Sequence, residues 1–101
     1  MEKKTSISLA ELKQLLDTNK NVRIVDVRSE TEYVEKHIPL AINIPVEKIE
    51  EIDSLMDEII ITACGKGGGR SEKAAELIRN KTNTEVYFLE NGTFGWYTNK
   101  K

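Results

Sequence analysis

Ile59-Ile60-Ile61-Thr62-Ala63 runs directly into Cys64-Gly65-Lys66-Gly67-Gly68-Gly69-Arg70-Ser71, and this stretch decides the fold of the 101-residue chain. The first part is apolar and rich in β-branched residues, which predicts a strand that is buried on both faces. The second part is a glycine-rich loop that leads into a helical pattern over residues 71–80. A buried strand, a loop and a helix in this order are typical of a parallel sheet in an α/β fold.

The same alternation of strand and helix extends to both sides of that stretch. Ser8 and Ser29 each precede a glutamate by three residues, which is the capping-box pattern that begins a helix. Further strands are predicted at residues 22–27, 41–44 and 85–89. We therefore expect one α/β domain over residues 1–101, an open and mainly parallel sheet with helices on both faces.

Two segments carry weaker patterns. Apolar side chains recur at near-helical spacing at Val46, Ile49, Ile52 and Leu55. After Asn91-Gly92 the chain is predicted to end in a short tail, in which Trp96 either covers the core or forms one wall of a shallow site.

Composition excludes several classes of function. The net charge is −2, so no basic field attracts nucleic acid or an acidic membrane surface. No apolar run approaches the length of a membrane span, and the first residues lack the apolar centre of a signal peptide. One cysteine and one histidine make neither an internal disulfide nor a zinc site. We expect a cytoplasmic monomer or weak dimer without metal, cofactor, nucleic-acid partner or membrane partner.

The cysteine loop predicts an anion-binding cradle with a nucleophile at its base. Cys64 follows the carboxyl end of the predicted strand, where ligands bind in open α/β sheets. Glycine adds no side chain to a core, but it lets consecutive backbone N–H groups point inward around an anion. The following helix N-terminus adds unpaired N–H groups that favour thiolate over thiol. The predicted site is the nucleophile Cys64 with the anion-binding residues Gly65, Lys66, Gly67, Gly68, Gly69, Arg70 and Ser71.

Several of these residues also have structural interpretations. Cys64 can be a small buried hydrophobic residue, and Arg70 can form a salt bridge that ties the loop to a carboxylate. Ser71 can donate to the thiolate or cap the helix. Lys66 can steer an anionic substrate or simply face solvent. Asp26 and Arg28, at the end of a predicted strand, are expected to pair with each other or with groups of the loop.

The chain resembles the rhodanese domain family in three places. Residues 26–28 (Asp-Val-Arg), Glu32-Tyr33 and the run 37–45 (His-Ile-Pro-Leu-Ala-Ile-Asn-Ile-Pro) resemble the first family signature. Residues 89–92 followed by Trp96 are similar to the closing signature, and residues 64–71 stand at the position of the active-site loop. The resemblance implies a sheet of about five parallel strands, a structural role for His37, and a catalytic cysteine that carries sulfane sulfur as a persulfide.

The sequence departs from the family pattern at two positions. Leu40 stands where the signature usually has glycine, which we expect to alter a turn and leave the chemistry untouched. Five residues, 65–69, separate Cys64 from Arg70, usually one more than in sulfur-transferring members. This longer spacing resembles that of the rhodanese-fold phosphatases and arsenate reductases.

Three classes of function therefore stay open: a sulfurtransferase, a phosphatase or arsenate reductase, and a persulfide carrier. Sulfur transfer from a donor such as thiosulfate to cyanide or a thiol is favoured, because sulfite leaves without needing a proton. Phosphate-ester cleavage needs a general acid, and the loop holds no carboxylate between Cys64 and Arg70. Arsenate reduction needs a reducing thiol from outside the chain. The third function is a persulfide carrier with little turnover that exchanges sulfur with a thiol of a partner protein.

Overall fold

The computed structural model describes residues 5–18, 21–51, 59–65, 69–82 and 85–98, without the side chains of residues 50, 51, 82 and 98. Within these ranges the chain forms a five-stranded sheet in the order β1-β5-β4-β2-β3, and all neighbouring strands are parallel. The predicted open parallel sheet is thus confirmed. The strands are β1 (Ser6–Ile7), β2 (Val22–Asp26), β3 (Ile42–Asn43), β4 (Ile59–Ala63) and β5 (Glu85–Leu89).

Both predicted capping boxes begin helices. Ser8 precedes α1 (Leu9–Asp17), where its hydroxyl accepts from the N–H of Glu11 at 3.1 Å and the Glu11 carboxylate accepts from the N–H of Ser8 at 2.9 Å. Ser29 and Glu32 make the same pair of bonds at the start of α2 (Glu30–Glu35). Each box satisfies N–H groups that would otherwise lack a partner in the first turn.

The remaining helices differ more from the sequence prediction. The helix after the cysteine loop, α3, spans Gly69–Thr82 and so extends the predicted 71–80 at both ends. The predicted tail is instead a helix, α4 (Gly92–Thr98), and β1 was not predicted. A 3₁₀ helix covers Val46–Glu51, while Ile52 and Leu55 lie outside the described residues. In the parts of the chain that are described, no helix has the length and apolarity to cross a membrane.

Apolar residues cover both faces of the sheet. On one face, Ile60 and Cys64 pack with Ala74, Ala75 and Ile78 of α3. On the other face is a second cluster that includes Ile59 and Ile61 of β4, Leu12 of α1 and the partly buried Tyr33 and Trp96. The connection from β4 to β5 therefore runs over one face, while α2, which follows β2, packs Tyr33 against the other. The connections that follow the paired strands β4 and β2 thus leave toward opposite faces of the sheet, and Cys64 lies at this point.

Leu40 lies in a turn and takes a backbone conformation that favours glycine. The N–H of Ala41 donates to the carbonyl of Ile38 at 3.0 Å, and Leu40 has a φ of 74°. This is the left-handed region, which glycine adopts without strain and a branched side chain does not. The side chain of Leu40 is 81% exposed, so little packing offsets the strain.

Candidate active site

Cys64 is the first residue after β4 and is held in place by its backbone. Its carbonyl accepts a 2.7 Å hydrogen bond from the N–H of Thr93, and the carbonyl of Gly65 accepts one of 2.9 Å from the N–H of Phe94. The first turn of α4 thus fixes the end of β4. The side chain is only 5% exposed and belongs to the apolar cluster beneath α3. Cys64 is therefore buried, as one sequence interpretation has it, and lies at the predicted strand end, while its role as a nucleophile stays a prediction.

Ser71 brings a hydroxyl to the cysteine. Its Oγ lies 3.5 Å from the Sγ of Cys64, within hydrogen-bonding distance for sulfur, and Ser71 is fully buried. Ser71 is the third residue of α3, so its hydroxyl is not a helix cap. Its proximity supports the predicted contact with sulfur over the capping role. In the thiolate or persulfide state of Cys64, this hydroxyl can donate to the negative charge.

Thr62 fastens α3 to β4 next to the cysteine. Its hydroxyl donates to the carbonyl of Ser71 at 2.7 Å, and both residues are fully buried. The bond holds the first turn of α3 against the end of β4 and so helps to fix the distance from Ser71 to Cys64. Sequence reasoning missed this role, although a lone hydroxyl residue among the isoleucines of β4 was a visible signal.

Arg70 forms the salt bridge that the sequence offered as its structural role. Its Nη1 lies 3.2 Å from Oε1 of Glu32, and the two side chains are 45% and 42% exposed. The hydrogen bond from Arg70, assisted by those from Ser29, lowers the pKa of Glu32 to about 2. Glu32 is therefore an anion at neutral pH, and it compensates the charge of the arginine that ends the cysteine loop.

Asp26 and Arg28 form a second, buried ion pair, as predicted. The Nη2 of Arg28 lies 2.8 Å from Oδ2 of Asp26, and Nε donates to Oδ1 at 3.0 Å. The hydrogen bond to Asp26 raises the pKa of Arg28, burial opposes the rise, and the charge of nearby Cys64 adds a minor part. Arg28 thus stays a cation in the neighbourhood of the sulfur, with its charge neutralised by Asp26.

An open cavity of about 330 Å³ adjoins the cysteine loop, and it is lined by Arg28, Glu32, Glu35, Lys36 and Phe94. A Cβ on Gly65 would lie 3.3 Å from the ring of Phe94, so this ring lies close over the loop. Another cavity, of about 340 Å³, is lined in part by Ile59 and Glu85, which begin β4 and β5. It therefore lies at the amino ends of the strands, opposite Cys64.

The aromatic wall of the loop is Phe94 and not Trp96. Trp96 packs against the core of the other face, as one of its two sequence interpretations had it, and lies under Nζ of Lys13 at 5.1 Å. His37 has the structural role expected of it: its ring stacks on Tyr33 at 3.9 Å, and its Nδ1 lies 2.7 Å from the carbonyl oxygen of Tyr33.

Of the predicted anion-binding residues, Gly65, Gly69, Arg70 and Ser71 are described, whereas Lys66, Gly67 and Gly68 lie outside the described residues. A Cβ on Gly69 would meet no atom within 4 Å, so packing does not require glycine there. Among the residues that are described, no three histidine, cysteine or acidic side chains are grouped so that they could hold a metal ion.

Comparisons with known proteins agree with this fold. The chain is 31% identical over 100 residues to the thiosulfate:glutathione sulfurtransferase of Saccharomyces cerevisiae, covering 81% of this chain and 71% of the relative. It is 33% identical over 93 residues to YrkF of Bacillus subtilis, which is named as a sulfur carrier protein; the match covers 89% of this chain but only 49%, about half, of YrkF.

Among solved structures, the human single-domain sulfurtransferase TSTD1 matches with a TM-score of 0.85 at 27% identity, over 98% of this chain and all of the human chain. The model of the Rhodanese-like domain family matches residues 8–99. Together with the parallel sheet and the position of Cys64 at its carboxyl edge, these matches show that the chain belongs to the rhodanese-like domain family.

Proposed function

We propose that the protein is a sulfurtransferase that moves sulfane sulfur from a donor such as thiosulfate to cyanide or a thiol through a persulfide on Cys64. The observation that carries the proposal is the placement of Cys64 at the carboxyl end of β4, with the buried Ser71 hydroxyl 3.5 Å from its sulfur. The sulfurtransferase and sulfur-carrier names of its relatives support the same chemistry.

In the first step, the Cys64 thiolate attacks the outer sulfur of thiosulfate. A sulfur–sulfur bond forms to Cys64, the sulfur–sulfur bond of thiosulfate breaks, and sulfite leaves with the electron pair. Sulfite needs no proton to leave, so the step does not call for a general acid. The new outer sulfur carries the negative charge, which the Ser71 hydroxyl and the N–H groups at the start of α3 can stabilise.

In the second step, a nucleophilic acceptor removes the outer sulfur. Cyanide or a thiolate attacks it, the persulfide bond breaks, and Cys64 regains its thiolate with the electron pair. Each product leaves before the next substrate reacts, which gives ping-pong kinetics. No redox reagent or metal is required, because the sulfur moves between nucleophiles without a net change in the enzyme.

The carboxylates near the loop argue against the phosphatase alternative. A phosphatase needs a protonated group to supply the leaving oxygen with a proton. Glu32 has a pKa of about 2 and is ionised at neutral pH, and Asp26 is buried in its ion pair with Arg28. The carboxylate of Glu90 accepts a 3.0 Å hydrogen bond from the hydroxyl of Ser6, so its described contact is with β1 and not with the cysteine loop. Arsenate reduction would need a thiol from another molecule, because Cys64 is the single cysteine of the chain.

The persulfide-carrier alternative has one observation in its favour. The cavity beside the cysteine loop is open to solvent, which suits the approach of a protein thiol as well as that of a small donor, although Cys64 itself is only 5% exposed. A carrier accepts sulfur from a partner persulfide much faster than from thiosulfate. Comparing the two donors at equal concentration distinguishes a carrier from an enzyme with its own turnover.

The proposal is tested by thiocyanate formation from thiosulfate and cyanide, beside hydrolysis of a generic phosphate ester. We expect thiocyanate from the wild type, none above background from Cys64→Ser, and no ester cleavage by either protein. If the protein instead cleaves the ester in a Cys64-dependent way and forms no thiocyanate, it is a phosphatase and the proposal is wrong. Turnover by Cys64→Ser equal to that of the wild type would reject every function that relies on this residue.

A further inference from the structure

The arginine that closes the cysteine loop is held by a carboxylate from another helix. Arg70 is the residue before Ser71, whose hydroxyl contacts Cys64, yet its Nη1 lies 3.2 Å from Oε1 of Glu32 in α2. The Arg70 side chain is 45% exposed, whereas Cys64 is 5% exposed. The guanidinium is therefore paired near the surface, outside the buried position of the sulfur.

The carboxylate of Glu32 is itself anchored. The same Oε1 accepts from the N–H and the hydroxyl of Ser29, each at 3.0 Å, as part of the capping box of α2. Glu32 therefore cannot follow Arg70 toward the loop without giving up the helix cap. Its pKa of about 2 means that it also keeps its negative charge at neutral pH.

An anion that enters the adjoining cavity consequently meets little uncompensated positive charge from the described residues that line it. Among the described residues that line the cavity, Arg28 is neutralised by Asp26, and the charge of Lys36, whose Nζ lies 4.7 Å from the centroid of the Tyr97 ring, is outnumbered by the carboxylates of Glu32 and Glu35. A dianion must either break the ion pair between Arg70 and Glu32 in order to bind the arginine, or bind next to the negative charge of the Glu32 carboxylate. A donor that carries at most one negative charge meets a smaller penalty, because Coulomb repulsion scales with its charge.

We infer that Glu32 is a specificity-determining residue, which holds Arg70 away from the sulfur and so disfavours dianionic donors such as thiosulfate relative to persulfides. The inference rests on the proposed sulfur transfer at Cys64. It adds a preference for sulfur that arrives on a thiol, and it names the side chain that sets this preference.

The test variant is Glu32→Gln. Glutamine also completes a capping box, so the substitution removes the charge and keeps the helix cap. We compare kcat/KM for thiosulfate with kcat/KM for the persulfide of 2-mercaptoethanol. Exposed ion pairs have small coupling energies, so the ratio of thiosulfate to persulfide should rise about two- to fivefold, mainly through a lower KM for thiosulfate.

Two further variants isolate the contact with Arg70. Glu35→Gln removes the same charge from the same cavity and the same helix, and it should raise the ratio by less than half as much. In an Arg70→Gln background, Glu32→Gln should no longer raise the ratio, because the arginine that it would release is gone. An equal effect of Glu32→Gln in both backgrounds would overturn the inference.

Binding of sulfate, an inert dianion, tests the inference without any sulfur transfer. We titrate sulfate into the wild type and Glu32→Gln and follow the amide NMR signals of Cys64 and Ser71; the variant should bind about two- to fivefold tighter. Weaker or unchanged binding would overturn the inference and would mean that Glu32 orients Arg70 toward the anion or plays no part. Failure of the proposed function would show separately, as a wild type that never accepts sulfur.

Discussion

Replacing Leu40 by glycine should stabilise the protein. Leu40 is the third residue of the turn closed by the bond from the Ala41 N–H to the Ile38 carbonyl, and its φ of 74° is the value that glycine takes at this position of a type II turn. The leucine side chain is 81% exposed, so its removal gives up little buried apolar area. Relief of backbone strain should therefore outweigh the lost contacts.

The size of the effect follows from two opposing terms. A left-handed conformation costs a residue with a Cβ about 1–2 kcal/mol. Glycine loses more backbone freedom than leucine on folding, and this entropy cost offsets roughly 0.5–1 kcal/mol of the relieved strain. The net gain for Leu40→Gly then lies between about 0 and about 1.5 kcal/mol. The middle of this range, about 0.75 kcal/mol, corresponds to a rise in Tm of about 3–6 °C for a domain of this size.

Denaturant unfolding and calorimetry of three proteins measure this gain: the wild type, Leu40→Gly and Leu40→Ala. Alanine keeps the Cβ and so keeps the strain, and it should not gain stability. If Leu40→Ala is stabilised as much as Leu40→Gly, removal of an exposed leucine and not relief of φ is the cause. A glycine variant less stable than the wild type would refute the reasoning about strain.

Three other substitutions test separate parts of the structure. Asp26→Asn leaves the buried Arg28 without its counter-charge and should lower the free energy of unfolding by about 3–5 kcal/mol in a denaturant titration, and a loss below about 1 kcal/mol would contradict the buried pair. The pKa of Glu32 lies near 2, below its ordinary 4.5, so its ion pair stabilises the fold above pH 4.5 and is lost as the pH falls toward 2. The stability advantage of the wild type over Glu32→Gln, below about 1 kcal/mol because the pair is exposed, should disappear over that pH range, and an advantage independent of pH would contradict the charge assignment. Gly95→Ala gains about 1 kcal/mol of helix propensity, but its Cβ would lie 2.3 Å from the Cβ of Asn91. The variant should therefore be less stable by calorimetry, adding Asn91→Gly should restore stability, and a stabilised single variant would show that α4 adjusts freely.

The sequence predicted those features that local chemistry determines. Ser8 and Ser29 begin helices because their capping boxes need only four consecutive residues. β4 has the predicted bounds because its apolar run is interrupted only by Thr62. Cys64 lies at the carboxyl edge of the sheet because it follows β4 directly. Its position could therefore be predicted as soon as the end of that strand was predicted.

Features that depend on contacts between distant segments were not predicted. The α4 helix contains two glycines and little local helical signal, and the bonds from Thr93 and Phe94 to the Cys64–Gly65 carbonyls hold its first turn. The pairing of Arg70 with Glu32 spans 38 residues, so the sequence could name the arginine but not its partner. β1 is two residues long and has too few positions to show alternation.

The most direct test of the account is the mass of the intact protein after incubation with thiosulfate, followed by fragmentation to locate the added atom. Because Cys64 is the single cysteine, a persulfide has one possible site. We expect a gain of one sulfur atom on Cys64 that cyanide removes, and no gain in Cys64→Ser. A wild type that stays at its original mass with both thiosulfate and a thiol persulfide, or a sulfur atom that Cys64→Ser also acquires, would contradict it.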